Sequence, residues 1–173
     1  MSGLYLIPIG GLKEGYRSFE FEIDNSFFGL FEESEIKEGK LTAVVETVKS
    51  PSLIEMLIRI SGTVRIGCDR CLEMFDEVLN CENRLVVKFG NTADVADPEI
   101  IILPYGENEL DMKQFFYEFI HLALPIQRIH PDDENGNSGC NPEMLSKLRE
   151  HLVNEESLVD PGWDELKKLM NNN

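Results

Sequence analysis

The sequence predicts an α+β fold: a curled antiparallel β-sheet, or a partly open barrel, with helices appended in the C-terminal half. Three observations carry this. Apolar residues alternate with polar ones through most of the first ninety positions, the period of half-buried strands. From Asp111 onward the apolar spacing turns helical and is punctuated by capping residues. The order, strands first and helices after, separates the two kinds of element along the chain. The 173 residues suit one well-cored domain with an appendage. The expected division is a single α+β domain over residues 1–152, followed by a tether and an amphipathic helix over 153–173.

Tyr16 to Ile23 alternates, with Phe19, Phe21 and Ile23 on one side and Glu20 and Glu22 on the other. Asp24-Asn25-Ser26 then offers a cap for a short helical turn through Phe27, Phe28 and Leu30. Leu41 to Val48 is β-branched and half-alternating. The clearest strand signal is Ile54, Met56, Ile58, Ile60, Val64, Ile66 and Cys68 on one face, with Glu55, Arg59, Ser61, Thr63 and Arg65 opposite. That run is about twice a usual strand, and Gly62 inside it predicts a bend that curls the sheet. Leu72 to Phe75 reads as a turn or short helix. Val78 to Phe89 reads as a strand with Leu79, Cys81, Leu85, Val87 and Phe89 inward. Residues 90–98 form an acidic loop before a short strand, Ile100 to Leu103. Asp111 caps the next helix, with Gln114 reaching back as in a capping box. That helix buries Met112, Phe115, Phe116, Phe119 and Leu122-Ala123, and Pro125 stops it. Residues 126–140 are a loop. Asn141-Pro142 opens a helix using Leu145, Leu148 and Leu152, and Asp160-Pro161 opens a last one with Trp163, Leu166 and Leu169 on one side.

Thirty-two acidic side chains against sixteen basic ones leave a net charge of −16. The excess lies before residue 59 and after residue 88; between them charges balance, five against five. So acidic a chain is repelled by phosphate backbones, which disfavours generic nucleic-acid or anionic-membrane binding; solubility accounts for most of the excess, and the sharper reading is attraction to a strongly basic protein partner. No apolar run is long enough to span a membrane, and the N-terminal stretch lacks the basic start of a signal peptide. Four cysteines in that setting point to a reducing compartment, the cytoplasm.

Cys68-Asp69-Arg70-Cys71 is the strongest site signal. Two thiols three positions apart can grip one metal ion from a tight turn, and soft sulfur ligands suit zinc. The same pair also fits redox chemistry, or two ordinary thiols near a loop end. Redox chemistry wants the first cysteine at a helix N-terminus after a βαβ strand, whereas this pair follows a long antiparallel strand. A metal needs two more ligands, and His130 and Cys140 in one glycine-containing loop are the candidates. Cys81 falls between Leu79 and Leu85 and reads as core. His121 falls with Gln114, Tyr117 and Glu118 on a polar helix face, and His151 near a helix end beside Lys147. Arg59, Arg65, Arg70 and Arg84 either form a local basic face or balance neighbouring carboxylates. No phosphate loop, nucleophile elbow or H-E-x-x-H motif is present, so no enzyme and no small-molecule substrate are expected.

The string Gly62-Thr63-Val64-Arg65-Ile66-Gly67-Cys68-Asp69-Arg70-Cys71-Leu72, the helix ending in Leu122-Ala123-Leu124-Pro125, then His130 and Cys140, resembles the YceD family. The closing Asp160-Pro161-Gly162-Trp163-Asp164-Glu165-Leu166-Lys167-Lys168-Leu169 is similar to that family's C-terminal segment. The resemblance implies a non-enzymatic factor in ribosome biogenesis that supports accumulation of large-subunit rRNA. Its partners would be a ribosomal precursor particle, rRNA or a basic ribosomal protein. Carried onto this chain, the family's cysteine pair is Cys68 and Cys71, and its later histidine and cysteine are His130 and Cys140; the structural zinc expected there rests on the chemistry of those four side chains and not on the resemblance. The competing expectation is a thiol-based redox module, or a zinc-dependent interaction module unrelated to ribosomes. Oligomeric state is not legible in the sequence.

Overall fold

The structure is a computed structural model, and it describes residues 5–90, 99–132 and 134–151. In chain order the elements are β1 (Leu6–Pro8), β2 (Gly15–Ile23), α1 (Asn25–Phe28), β3 (Glu38–Lys49), β4 (Leu53–Gly67), β5 (Met74–Phe89), β6 (Ile100–Leu103), β7 (Glu109–Asp111), α2 (Lys113–Leu122) and α3 (Pro142–His151). The fold is α+β. One five-stranded sheet has the order β2-β3-β4-β5-β6, and β1 pairs with β7 in a separate ribbon. The chain divides into two compact units, residues up to Cys68 with Met74–Arg128, and Asp69–Glu73 with the residues from Ile129 on. The expected tether and last helix at 153–173 lie outside the described residues.

The first unit is built on the alternation. β4 pairs along its whole length with β3 and β5, from Lys49↔Ile54 to Glu38↔Arg65 and from Leu53↔Lys88 to Gly67↔Met74. This register puts Ala43 opposite Ile60 and Val45 opposite Ile58, with Leu41 and Met56 on the same face, all of them buried. Covering that many aliphatic side chains, at roughly 1.5–3 kcal/mol each, is what sets the register. The rings of Tyr5, Phe21, Phe27 and Phe116 cluster over the core, with Tyr5–Phe27 centroids 5.1 Å apart and Phe21–Phe116 5.3 Å apart. Helix α2 contributes Phe116 and Ile120 at 0 % exposure. Asp24 caps α1 as its position predicts, its carboxylate accepting from the Ser26 N–H at 2.8 Å.

Several expectations change. Among the described residues the sheet is open, with β2 and β6 at its edges, and the departure from an all-antiparallel sheet is β6, which runs parallel to β5 against Val86–Phe89. Gly62 does mark a special site, where its φ of +148° brings β4 backbone against Lys40 and Leu41 of β3. The segment read as a turn or helix from Leu72 to Phe75 is neither: the turn is residues 69–71, Leu72 and Glu73 are irregular, and strand β5 begins at Met74. The capping box at α2 is not made. Asp111 accepts from the Lys113 N–H at 2.9 Å, but Gln114 reaches forward to Glu118 at 2.7 Å. The two three-residue strands β1 and β7 were not anticipated.

The solvent face of the sheet carries an ion-pair network. Arg59 donates to Glu46 at 2.7 Å and to Glu82 at 2.8 Å, and the Tyr16 hydroxyl donates to Glu46 at 2.9 Å. The Tyr16 and then the Arg59 hydrogen bonds hold the Glu46 carboxyl below its ordinary value of 4.5. A lowered carboxylate contributes stability that is complete above the unfolded value and is lost as pH falls through the folded one. Glu46→Gln is therefore expected to flatten the decline of the melting temperature below pH 4.5. The effect is small because the network is exposed to solvent and salt. Melting curves that stay parallel to those of the parent would show the network to be energetically silent.

Candidate metal centre

The long β4–β5 hairpin places Cys68 and Cys71 in the loop that joins its two strands, between Gly67 and Met74. Residues 69–71 form the turn, and Leu72 leaves it at φ +62° with its side chain exposed. A leucine in the left-handed region costs about 1–2 kcal/mol, so something must hold the loop in this shape. Cys68 and Cys71 are buried at 1 % and 2 % exposure. Hairpin loops ordinarily face water, and here both thiols turn inward.

The loop from residue 126 folds back on itself. Asp132 and Ser138 form an antiparallel bridge, with Gly136 at φ +78° between them. The bridge brings the residues flanking it together. Gly139 passes so close to His130 and Pro131 that a Cβ there would sit 2.6 Å from the Pro131 carbonyl oxygen and 3.2 Å from His130 Cβ. The next residue is Cys140, buried at 3 % exposure, whose N–H donates to the Ser138 hydroxyl at 3.3 Å. Asn141 then does two things. Its Oδ1 caps α3 through the Glu143 N–H at 2.9 Å, and its Nδ2 donates to Glu73 at the end of the cysteine loop, 2.7 Å away.

The outcome is that one ligand atom from each of Cys68, Cys71, His130 and Cys140 lies within 4.8 Å of every other. Cys71, His130 and Cys140 belong to the second unit, and Cys68 is bonded directly to its first residue, Asp69. Cys71 Sγ and His130 Nδ1 are 3.4 Å apart. In a tetrahedral zinc site, with Zn–S near 2.3 Å and Zn–N near 2.05 Å, that edge is about 3.6 Å. Three thiols and one imidazole are also the donor set that zinc favours over harder cations. The residues fit the ion. A metal held by all four would have no open position for water or substrate.

The four ligands expected from the sequence are the four that come together. Cys81 is not among them; it is half-buried, its Sγ is 3.9 Å from the Phe119 carbonyl oxygen, and burial pushes its thiol up. His121 is not solvent-facing. Its Nδ1–H donates to the Tyr117 carbonyl at 2.8 Å, its ring lies 4.0 Å from that of Tyr117, and Tyr117 stacks on Phe31 at 4.0 Å. Its Nε2 is buried without a partner among the described residues. Two of the four arginines balance carboxylates: Arg59 is held by Glu46 and Glu82, and Arg65 lies 3.9 Å from Glu38. Gly139, Asn141 and Glu73 were missed as positioning residues. A glycine directly before a ligand, and the capping asparagine directly after it, were the available signals.

Among the described residues no helix is long and apolar enough to cross a membrane. The family model described as "Large ribosomal RNA subunit accumulation protein YceD" matches residues 56–170. That span takes in β4 from Met56 on, the cysteine loop, His130 and Cys140. No curated protein and no solved structure matches the chain.

Proposed function

This chain belongs to the YceD family of large ribosomal RNA subunit accumulation proteins, and from that premise we propose that it supports accumulation of large-subunit rRNA during ribosome biogenesis. We place it in the cytoplasm and give it no catalytic step. The family match over residues 56–170 is the observation that carries this reading. The closed character of the four-ligand group supports the absence of catalysis, since a structural ion leaves nothing to activate. In this reading zinc on Cys68, Cys71, His130 and Cys140 fixes the second unit in shape.

The charge distribution bears on the partner. With a net charge of −16, contact with naked rRNA over a broad surface is electrostatically unfavourable. A basic ribosomal protein within a precursor particle is the partner the charge suits. Depletion of the protein in its own cells is expected to lower large-subunit rRNA while leaving small-subunit rRNA near its normal level. Quantification of both by electrophoresis and hybridisation decides it. Unchanged ratios under depletion would remove the ribosomal role.

A further inference from the structure

Strand β5 is sixteen residues long, yet β6 covers only its last four, Val86–Phe89. The β4–β5 register runs from end to end without a bulge, so main-chain groups alternate strictly between the two edges of β5. The Val86 N–H donates outward to Glu99 at 2.7 Å, which fixes the parity. The N–H and C=O groups of Asp76, Val78, Asn80, Glu82 and Arg84 therefore point away from β4. Among the described residues no strand pairs with them. A free edge of this length is a template for another strand, and natural sheets usually blunt one with lysine, proline or a bulge. Between Met74 and Leu85 there is none of these. Val78, in the middle, is 65 % exposed, and residues 82–85 border a cavity of about 380 Å3 against Phe119 and Glu99.

The segment is complementary to itself. We propose that β5 pairs antiparallel with β5 of a second copy of this chain about a two-fold axis at Asn80, joining two five-stranded sheets into one. In this register Asp76 stands opposite the partner's Arg84, and Arg84 opposite the partner's Asp76. Val78 faces the partner's Glu82, and Asn80 faces its own copy. On the other surface Phe75 lies opposite the partner's Leu85, Glu77 opposite the partner's Asn83, and Leu79 opposite the partner's Cys81, so the apolar face continues across the junction except at the Glu77–Asn83 pairs. Sliding the strands by two residues in one direction sets Asp76 against Glu82, and like charges directly opposite are destabilising. Sliding them in the other sets Asp76 against Val86, whose N–H already bonds to Glu99. The contact is isologous and closes on itself, as symmetric dimers do. It follows from strand geometry and stands apart from the ribosomal reading.

The test is sedimentation of the full chain over a range of concentrations, with a reversible dimer expected. Val78→Pro removes an outward N–H and leaves the β4 ladder untouched; it is expected to give a monomer with a near-parental melt. Asp76→Arg sets arginine against arginine and is expected to weaken the dimer about tenfold. Adding Arg84→Asp restores the pairing with its charges exchanged. A chain that is monomeric at every concentration overturns the proposal, and so it counts against it if another segment of the chain or a foreign strand takes the edge. A dimer indifferent to both Val78→Pro and the charge exchange overturns it equally. Should the proline variant fail to fold, the exchange alone decides, because Asp76 and Arg84 are both exposed.

Discussion

Replacing Cys71 by serine is expected to release about one zinc ion per chain and to unfold the second unit. The fall in stability should be the largest of any single substitution outside the sheet. The expectation rests on the convergence of four potential ligand atoms within 4.8 Å, joining the cysteine loop to the segment that carries His130 and Cys140. Helix α3 has no buried residue, and the Asp132–Ser138 bridge is isolated. Structural zinc in small sites carries about 10–16 kcal/mol of apparent binding free energy at neutral pH, and that energy becomes folding energy. Metal content by emission spectrometry should fall to background. Amide protons in 69–73 and 134–151 should exchange at unprotected rates, while β3, β4 and β5 keep their protection. Cys81→Ser, which removes a thiol outside the group, should keep the metal. Acid should release it too, because the thiols bind only as thiolates. A parent protein prepared with zinc present that carries none, and melts as Cys71→Ser does, would falsify the site.

The second large effect is expected at Gly62. A Cβ there would sit 2.6 Å from Leu41 Cα and closer still to the Lys40 carbonyl oxygen, on a backbone held at φ +148°. Both neighbours are main chain in the middle of the sheet, so neither can swing aside. Gly62→Val should cost more than about 4 kcal/mol, the range reserved for a named structural conflict, or prevent folding altogether. Gly62→Ala should cost less but keep the sign. Urea denaturation followed by circular dichroism measures both. A valine variant within about 1 kcal/mol of the parent would mean that the sheet re-registers at this point.

Much of the sheet was legible because alternation at period two writes the core face directly into the sequence. Ile54, Met56, Ile58 and Ile60 could be assigned to one surface without any knowledge of their neighbours. The ligand set was legible for a chemical reason, since cysteine and histidine are scarce enough for four of them to be counted and weighed. Other features were not, and the causes differ. Strands β1 and β7 are three residues each, too short to display a period. That β6 would run parallel to β5, leaving the sheet open, depends on how residues 90–99 connect the two, which alternation does not encode. The cap expected from Gln114 failed because Glu118, one turn on, offers its carboxylate. His121 lies on what is nominally the polar side of α2, but Phe31 stacks on Tyr117 from outside the helix and extends the apolar surface over that side. How His130 and Cys140 converge was not legible either, because it depends on the Asp132–Ser138 bridge, which no periodic pattern marks.

The placement of the two cysteines at the bend of the hairpin bears on the order of events during synthesis. In the β4–β5 register Gly67 with Met74 is the pair nearest the loop and Leu53 with Lys88 the pair farthest from it, so both thiols are synthesised between the two strands they join. His130 lies 59 residues beyond Cys71, so at about 5–20 residues per second it is made roughly 3–12 s later. For that interval the nascent chain carries the two thiols of the loop without the histidine and cysteine that complete the group. Thiol-reactive oxidants and soft metals have their best opportunity then.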